Sequence, residues 1–132
     1  MPCKTMQALV LTPETREATV RNLPLPTPAP GEVLIRVHAI ALNPVDALYV
    51  ANPMAQQERV VGTDFAGVIV SASRDLDGSD DVRTHTGTRV AGFLQGGGYC
   101  FVVCSCVSFG FTECFVIVLR DDGSALEGLL KQ

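Results

Sequence analysis

Up to residue 98 the apolar positions of this chain recur in short runs with a period close to two, broken repeatedly by Pro, Gly, Asn and Asp. That is the pattern of half-buried strands rather than helices. Residues 7–11 form an apolar run ended by Thr12 and Pro13, and Ala18 and Val20 then alternate with Glu17, Thr19 and Arg21, which predicts an opening hairpin. Residues 23–31 read LPLPTPAPG. Each Pro removes a backbone donor and fixes φ, so this stretch is expected as an extended connector rather than a ladder strand. Too little chain precedes it to make a domain, so it should cross the surface of one. Residues 32–42, EVLIRVHAIAL, are the best strand candidate: Val33, Ile35, Val37, Ala39 and Ala41 make one continuous apolar face, with Arg36 and His38 on the other, and a central position is expected. Pro44 can open a helix of one or two turns that Asn52 and Pro53 stop. A further apolar, β-branched run at 65–72, an acidic loop at 75–86 and a short strand at 88–91 complete the pattern of a small barrel or sandwich.

Beyond Gly96, Gly97 and Gly98 the pattern changes. Residues 99–119 are apolar or weakly polar at every position except Glu113, which is the length of a membrane span. Glu113 near its middle would cost about 3 kcal/mol on an insertion scale, and Gly, Ser and Thr dilute the gain. Two buried or aggregation-prone β segments, broken near Ser108, Phe109 and Gly110, are expected instead, so a membrane partner is not.

Composition narrows the classes. A chain of 132 residues is the size of one domain, and 47% hydrophobic residues suffice for its core. A net charge of −4 with scattered Lys and Arg argues against a nucleic-acid binder. The N-terminal apolar run is too short for a secretory signal, and a cytoplasmic location is expected. Five Cys in a reducing compartment should be free thiols behaving as small hydrophobes.

Two strings carry the chemistry: Asn43-Pro44-Val45-Asp46, and Thr63-Asp64-Phe65-Ala66-Gly67 following Gly62. By residue type alone the first could be a turn with a helix start, since Asn, Pro and Asp favour turns for backbone reasons. Gly62 and Gly67 could serve tight backbone approach at a barrel corner. His38 fits a rim residue. The Asp75, Asp77, Asp80, Asp81 cluster lacks the Gly at the sixth position and the Glu at the twelfth of a calcium loop, so a solvated loop is expected.

Taken in order, PxPxPxPGEVLIRV, ALNPVD, VVGTDFAGVIV and SDDVRTHTGTRVAGF resemble the N-terminal catalytic domain of the medium-chain dehydrogenase/reductase superfamily, over residues 6–98. The resemblance implies a mainly β fold, a GroES-like, partly open β barrel. It is nearest to the zinc-independent quinone oxidoreductases and the trans-acting enoyl reductases of fungal polyketide biosynthesis. In the zinc-dependent branch a Cys stands at the position of Asn43 and a His-Glu pair at Thr63-Asp64; catalytic zinc needs three ligands from Cys, His and carboxylate, so no metal is expected. The implied activity is hydride transfer from NADPH to an activated C=C bond of a small-molecule or carrier-bound enoyl substrate, with a polyketide synthase as partner. Asn43, Val45, Asp46, Ala47 and Leu48 fall where these reductases contact NADP, and no catalytic residue is assigned. Leu48 departs from relatives that carry Lys there, and Thr88 from the Asp of a GDRV string.

Residues 1–98 are thus expected as the barrel domain, incomplete, and 99–132 as a hydrophobic, Cys-rich tail outside the family pattern. No Gly-rich βαβ unit follows Gly98, so a Rossmann domain is expected to be lacking. The abrupt change of composition suggests a truncated gene or altered reading frame, leaving a chain inactive alone. The alternative is a non-catalytic barrel fragment. Cys100, Cys104, Cys106 and Cys114 have gaps of three, one and seven residues, against two, two and seven in the structural zinc lobe of zinc-binding relatives, and chance enrichment is the expectation.

Overall fold

The computed structural model describes residues 5–52, 57–94, 97, 98 and 100, together with the strands at 102–106 and 114–118. In chain order the elements are β1 (Thr5–Thr12), β2 (Glu17–Pro24), β3 (Glu32–Ile40), α1 (Pro44–Ala51), β4 (Arg59–Val60), β5 (Asp64–Ala72), β6 (Arg89–Leu94), β7 (Val102–Cys106) and β8 (Cys114–Val118), with two single 3₁₀ turns between β5 and β6. The fold is mainly β, as the alternation predicts. A three-stranded sheet runs β2-β1-β4 and a five-stranded sheet β7-β3-β5-β6-β8. The outer strands of the larger sheet, β7 and β8, approach each other, so that sheet curls towards closure.

The opening hairpin forms in the register Thr5↔Pro24 to Thr12↔Glu17. Pro24 is tolerated as the last residue of β2 because β2 is an edge strand and needs no donor on its outer side. The rest of the Pro-rich stretch is extended connector.

β3 lies between β7 and β5, in the central part of its sheet. Its Val33 and Ile35 join Phe65 and Ile69 of β5 and Val90 of β6 in the main core. The apolar face does not run on to Ala39 and Ala41 as the alternation suggests: both are exposed, because the β3–β5 register slips between Val37 and Ala39. A bulge inserts one residue and rotates the side chains beyond it, ending the inward face after Val37. Gly67 sits opposite this bulge. A Cβ there would overlap the carbonyl oxygen of Arg36, so the residue is Gly for close strand approach and not for flexibility. A smaller core cluster joins Leu11 of β1 to Val61, with Leu9 and Val50 at its margin.

From the apolar stretch beyond residue 98, β7 pairs antiparallel with β3 and β8 with β6. Ser108, Phe109 and Gly110, where the sequence predicts a break, lie outside the described residues. Among the described residues no helix is long and apolar enough to cross a membrane.

The acidic loop is organised by one ion pair. Asp81 takes hydrogen bonds from Arg83 Nε, shared between its two carboxylate oxygens, from Arg83 Nη2 and from the Arg83 backbone N–H, while Thr84 Oγ1 donates to the Asp81 carbonyl at 2.7 Å. The Arg83 hydrogen bond holds the Asp81 carboxyl below its ordinary range. A depressed carboxyl adds stability above its unfolded pKa and loses it as pH falls through the folded one.

Gly67→Ala should cost about 3 kcal/mol in urea unfolding, through forced strand separation. Arg83→Ala should destabilise the chain at pH 7, and the gap from the unmodified chain should shrink as unfolding is followed down through the ordinary Asp range; a gap constant with pH would show that the pair is not what Arg83 contributes.

Candidate functional site

The chain leaves β3 exposed and apolar, with Ile40 at 45% and Leu42 at 82% accessibility, and turns into α1 at Asn43. Asn43 is the N-cap, in extended conformation, and Pro44 sets the first helical φ. The Asp46 carboxylate accepts the Asn43 backbone N–H at 2.9 Å, the reciprocal half of a capping box, while Asp46 N–H donates to the Asn43 carbonyl at 3.0 Å and the Asn43 side chain makes no cap bond. The Asn-Pro-x-Asp string is therefore a helix start, and in this protein it is also more.

Asn43 reaches across to the start of β5. Its Nδ2 donates to Asp64 Oδ2 at 2.8 Å and lies 3.4 Å from Thr63 Oγ1. Residues 20 and 21 positions apart are thereby brought to one point. Thr63 is buried, its carbonyl accepts Leu94 N–H at 2.8 Å, and the Gly62 carbonyl accepts Gly98 N–H at 3.0 Å. Gly62 has φ of 89°, left-handed backbone that a Cβ would strain.

Of the five residues expected at the cofactor wall, Asn43 and Asp46 point into this hydrogen-bonded turn, and Asp46 is buried. Val45, Ala47 and Leu48 face outward, Val45 at 38% and Leu48 at 61% accessibility. The polar members thus brace the turn and the apolar members are exposed on the helix surface. Asp64 is the partner that the string alone does not single out; its adjacency to Thr63 in the second string is the only signal. His38 is exposed on the rim, and His85 Nε2 donates to the Ser79 carbonyl at 2.9 Å within the acidic loop.

Next to this wall a groove of about 460 Å³, almost wholly apolar, opens between β1, β2 and β3 and reaches Leu42. Ala8, Val20, Ala39 and Cys100 line it, with Gln7 and His38 as the polar contributors. Among the described residues no three of His, Cys, Asp and Glu converge as a metal-ligand group. The Asn43, Thr63, Asp64 set offers one carboxylate, an amide and a hydroxyl already bonded to one another, which does not fit catalytic zinc.

Comparison with known proteins places this geometry. The alcohol dehydrogenase GroES-like domain family matches residues 29–127. The trans-enoyl reductase apdC of Emericella nidulans is 38% identical over 96 residues, covering 73% of this chain and 27% of that protein. The trans-enoyl reductase RAP2 of Pyricularia oryzae is 40% identical over 77 residues, 58% of this chain and 20% of that protein. Among solved structures, the human synaptic vesicle membrane protein VAT-1 homolog-like protein superposes with a TM-score of 0.71 at 26% identity, over 91% of this chain and 36% of that one. This chain spans only about a quarter of the length of the curated relatives it matches.

Asn43→Ala should cost about 1–2 kcal/mol in urea unfolding, from the lost bond to Asp64, whereas Val45→Ala should stay within about 0.5 kcal/mol. Equal costs would contradict the division into supporting and wall residues.

Proposed function

The chain belongs to the alcohol dehydrogenase GroES-like domain family of the medium-chain dehydrogenase/reductase superfamily, and from that footing we propose that it forms the barrel side of an NADPH-dependent, zinc-independent enoyl reductase of the trans-acting type. The observation that carries the proposal is the α1 wall: Val45, Ala47 and Leu48 outward, braced from behind by Asn43, Asp46 and Asp64. A nicotinamide ring presents a flat, largely apolar face, and exposed aliphatic side chains on a fixed helix suit van der Waals contact with it. NADPH, when bound, would supply the hydride. The chain's own residues would limit water at that wall and orient the ring; with Leu48 where some relatives carry Lys, the wall offers no ammonium as proton source.

The apolar groove reaching Leu42 suits the hydrocarbon part of a carrier-bound enoyl substrate, in keeping with relatives named as trans-enoyl reductases. A polyketide synthase is the partner this reading implies, and the cytoplasm the compartment. No Gly-rich turn opening a helix occurs among the described residues to hold a pyrophosphate, so the chain by itself should bind the nucleotide poorly. The second reading is a non-catalytic barrel.

A fluorescence titration of the purified chain with NADPH should show no binding at micromolar concentrations. Adding a nucleotide-binding domain from a trans-enoyl reductase should restore NADPH-dependent reduction of an enoyl thioester, and Leu48→Asp should reduce that rate at least about tenfold. Micromolar binding by the chain alone would overturn its dependence on a second domain, and no activity in the pair would favour the non-catalytic reading.

A further inference from the structure

A helix of eight residues is too short to hold itself in water, so its position must come from what it touches. At the C-terminal end of α1, Val50 packs at the margin of Leu11 and Val61, and the Arg59 guanidinium lies 5.7 Å from the centre of the Tyr49 ring. At the N-terminal end, Val45 and Leu48 face solvent and Asp46 is the one buried side chain. Apolar packing therefore cannot fix the end that forms the wall.

Asp64 grips that end twice. Its backbone carbonyl accepts Ala41 N–H at 3.3 Å, just before the turn, and its carboxylate accepts Asn43 Nδ2 at 2.8 Å within it. Asp64 is itself fixed, since it opens β5 opposite Phe93 of β6 and precedes the core residue Phe65. The bond is charge-assisted, the stronger kind. Asn43 passes the constraint on, because it is the N-cap residue and both its backbone N–H and its carbonyl are bonded to Asp46 in the first turn of α1.

We infer that Asp64 is a positioning residue: through Asn43 it latches the N-terminal turn of α1 to the sheet and so sets where Val45, Ala47 and Leu48 stand. The functional weight of the latch rests on reading α1 as the cofactor wall, but the latch itself is measurable without any nucleotide.

The test is amide hydrogen exchange by NMR on the full 132-residue chain, comparing the α1 amides of residues 48–51 with the Ile69 amide, which donates to the Thr88 carbonyl at 3.0 Å in the sheet. Asp64→Ala should speed α1 exchange about tenfold relative to Ile69, the scale of one lost hydrogen bond to a charged group. Asp64→Asn keeps an oxygen for Asn43 and should stay within about threefold. Asn43→Ser keeps a good N-cap but is too short to reach Asp64, and should match Asp64→Ala. Unchanged α1 exchange in Asn43→Ser, or equal acceleration at α1 and Ile69, would falsify the latch; if Asp64→Ala does not fold, Asn43→Ser decides. Failure of the chain paired with a nucleotide-binding domain to reduce an enoyl thioester would count against the cofactor reading alone, since exchange is read without any nucleotide.

Discussion

The close pairing of β3 with β5 is the constraint on which the rest depends. Val33 and Ile35 from one strand and Phe65 and Ile69 from the other form most of the main core, and both sheet neighbours, β7 and β6, build outward from this pair. Where the pair slips, opposite Gly67, the strands come close enough that no side chain fits between Gly67 and the Arg36 carbonyl. Asp64 stands at the start of the same β5, so the core and the site are positioned by a single ladder.

The site has a division of labour with a physical cause. Polar groups beside an apolar surface are best bonded locally, and Asn43 bonds Asp46, Thr63 and Asp64 behind the turn. That leaves the outward positions free to be apolar. Hydrogen bonds from Asn43 to Thr63 and Asp64 join helix start to strand start.

Much of the fold is legible in the sequence because alternation reports which face is buried. The hairpin and β3 follow from period-two patterns and turn residues, while β5 and the two strands after residue 98 follow from continuous apolar, β-branched runs. The end of the β3 face is not legible: Ala39 looks as apolar as Val37, and the bulge that exposes it depends on Gly67, a residue distant in sequence. At the site the Asn-Pro-x-Asp helix start can be read from residue types, as can the poor fit to zinc. The hydrogen bond from Asn43 to Asp64 cannot, because pattern fixes faces and leaves the pairing of distant side chains to the register. For the same reason the sequence groups Asn43 and Val45 together as contacts, although one braces and the other faces outward.

The bulge at Val37 and Ala39 governs how the chain can vary. It divides β3 into a half whose side chains are enclosed and a half whose side chains line an open groove, within nine residues of continuous backbone. Substitutions at Ile40 or Leu42 can reshape the groove while leaving Val33 and Ile35 undisturbed. One strand thus joins an exposed face that can change to an interior that keeps the fold together.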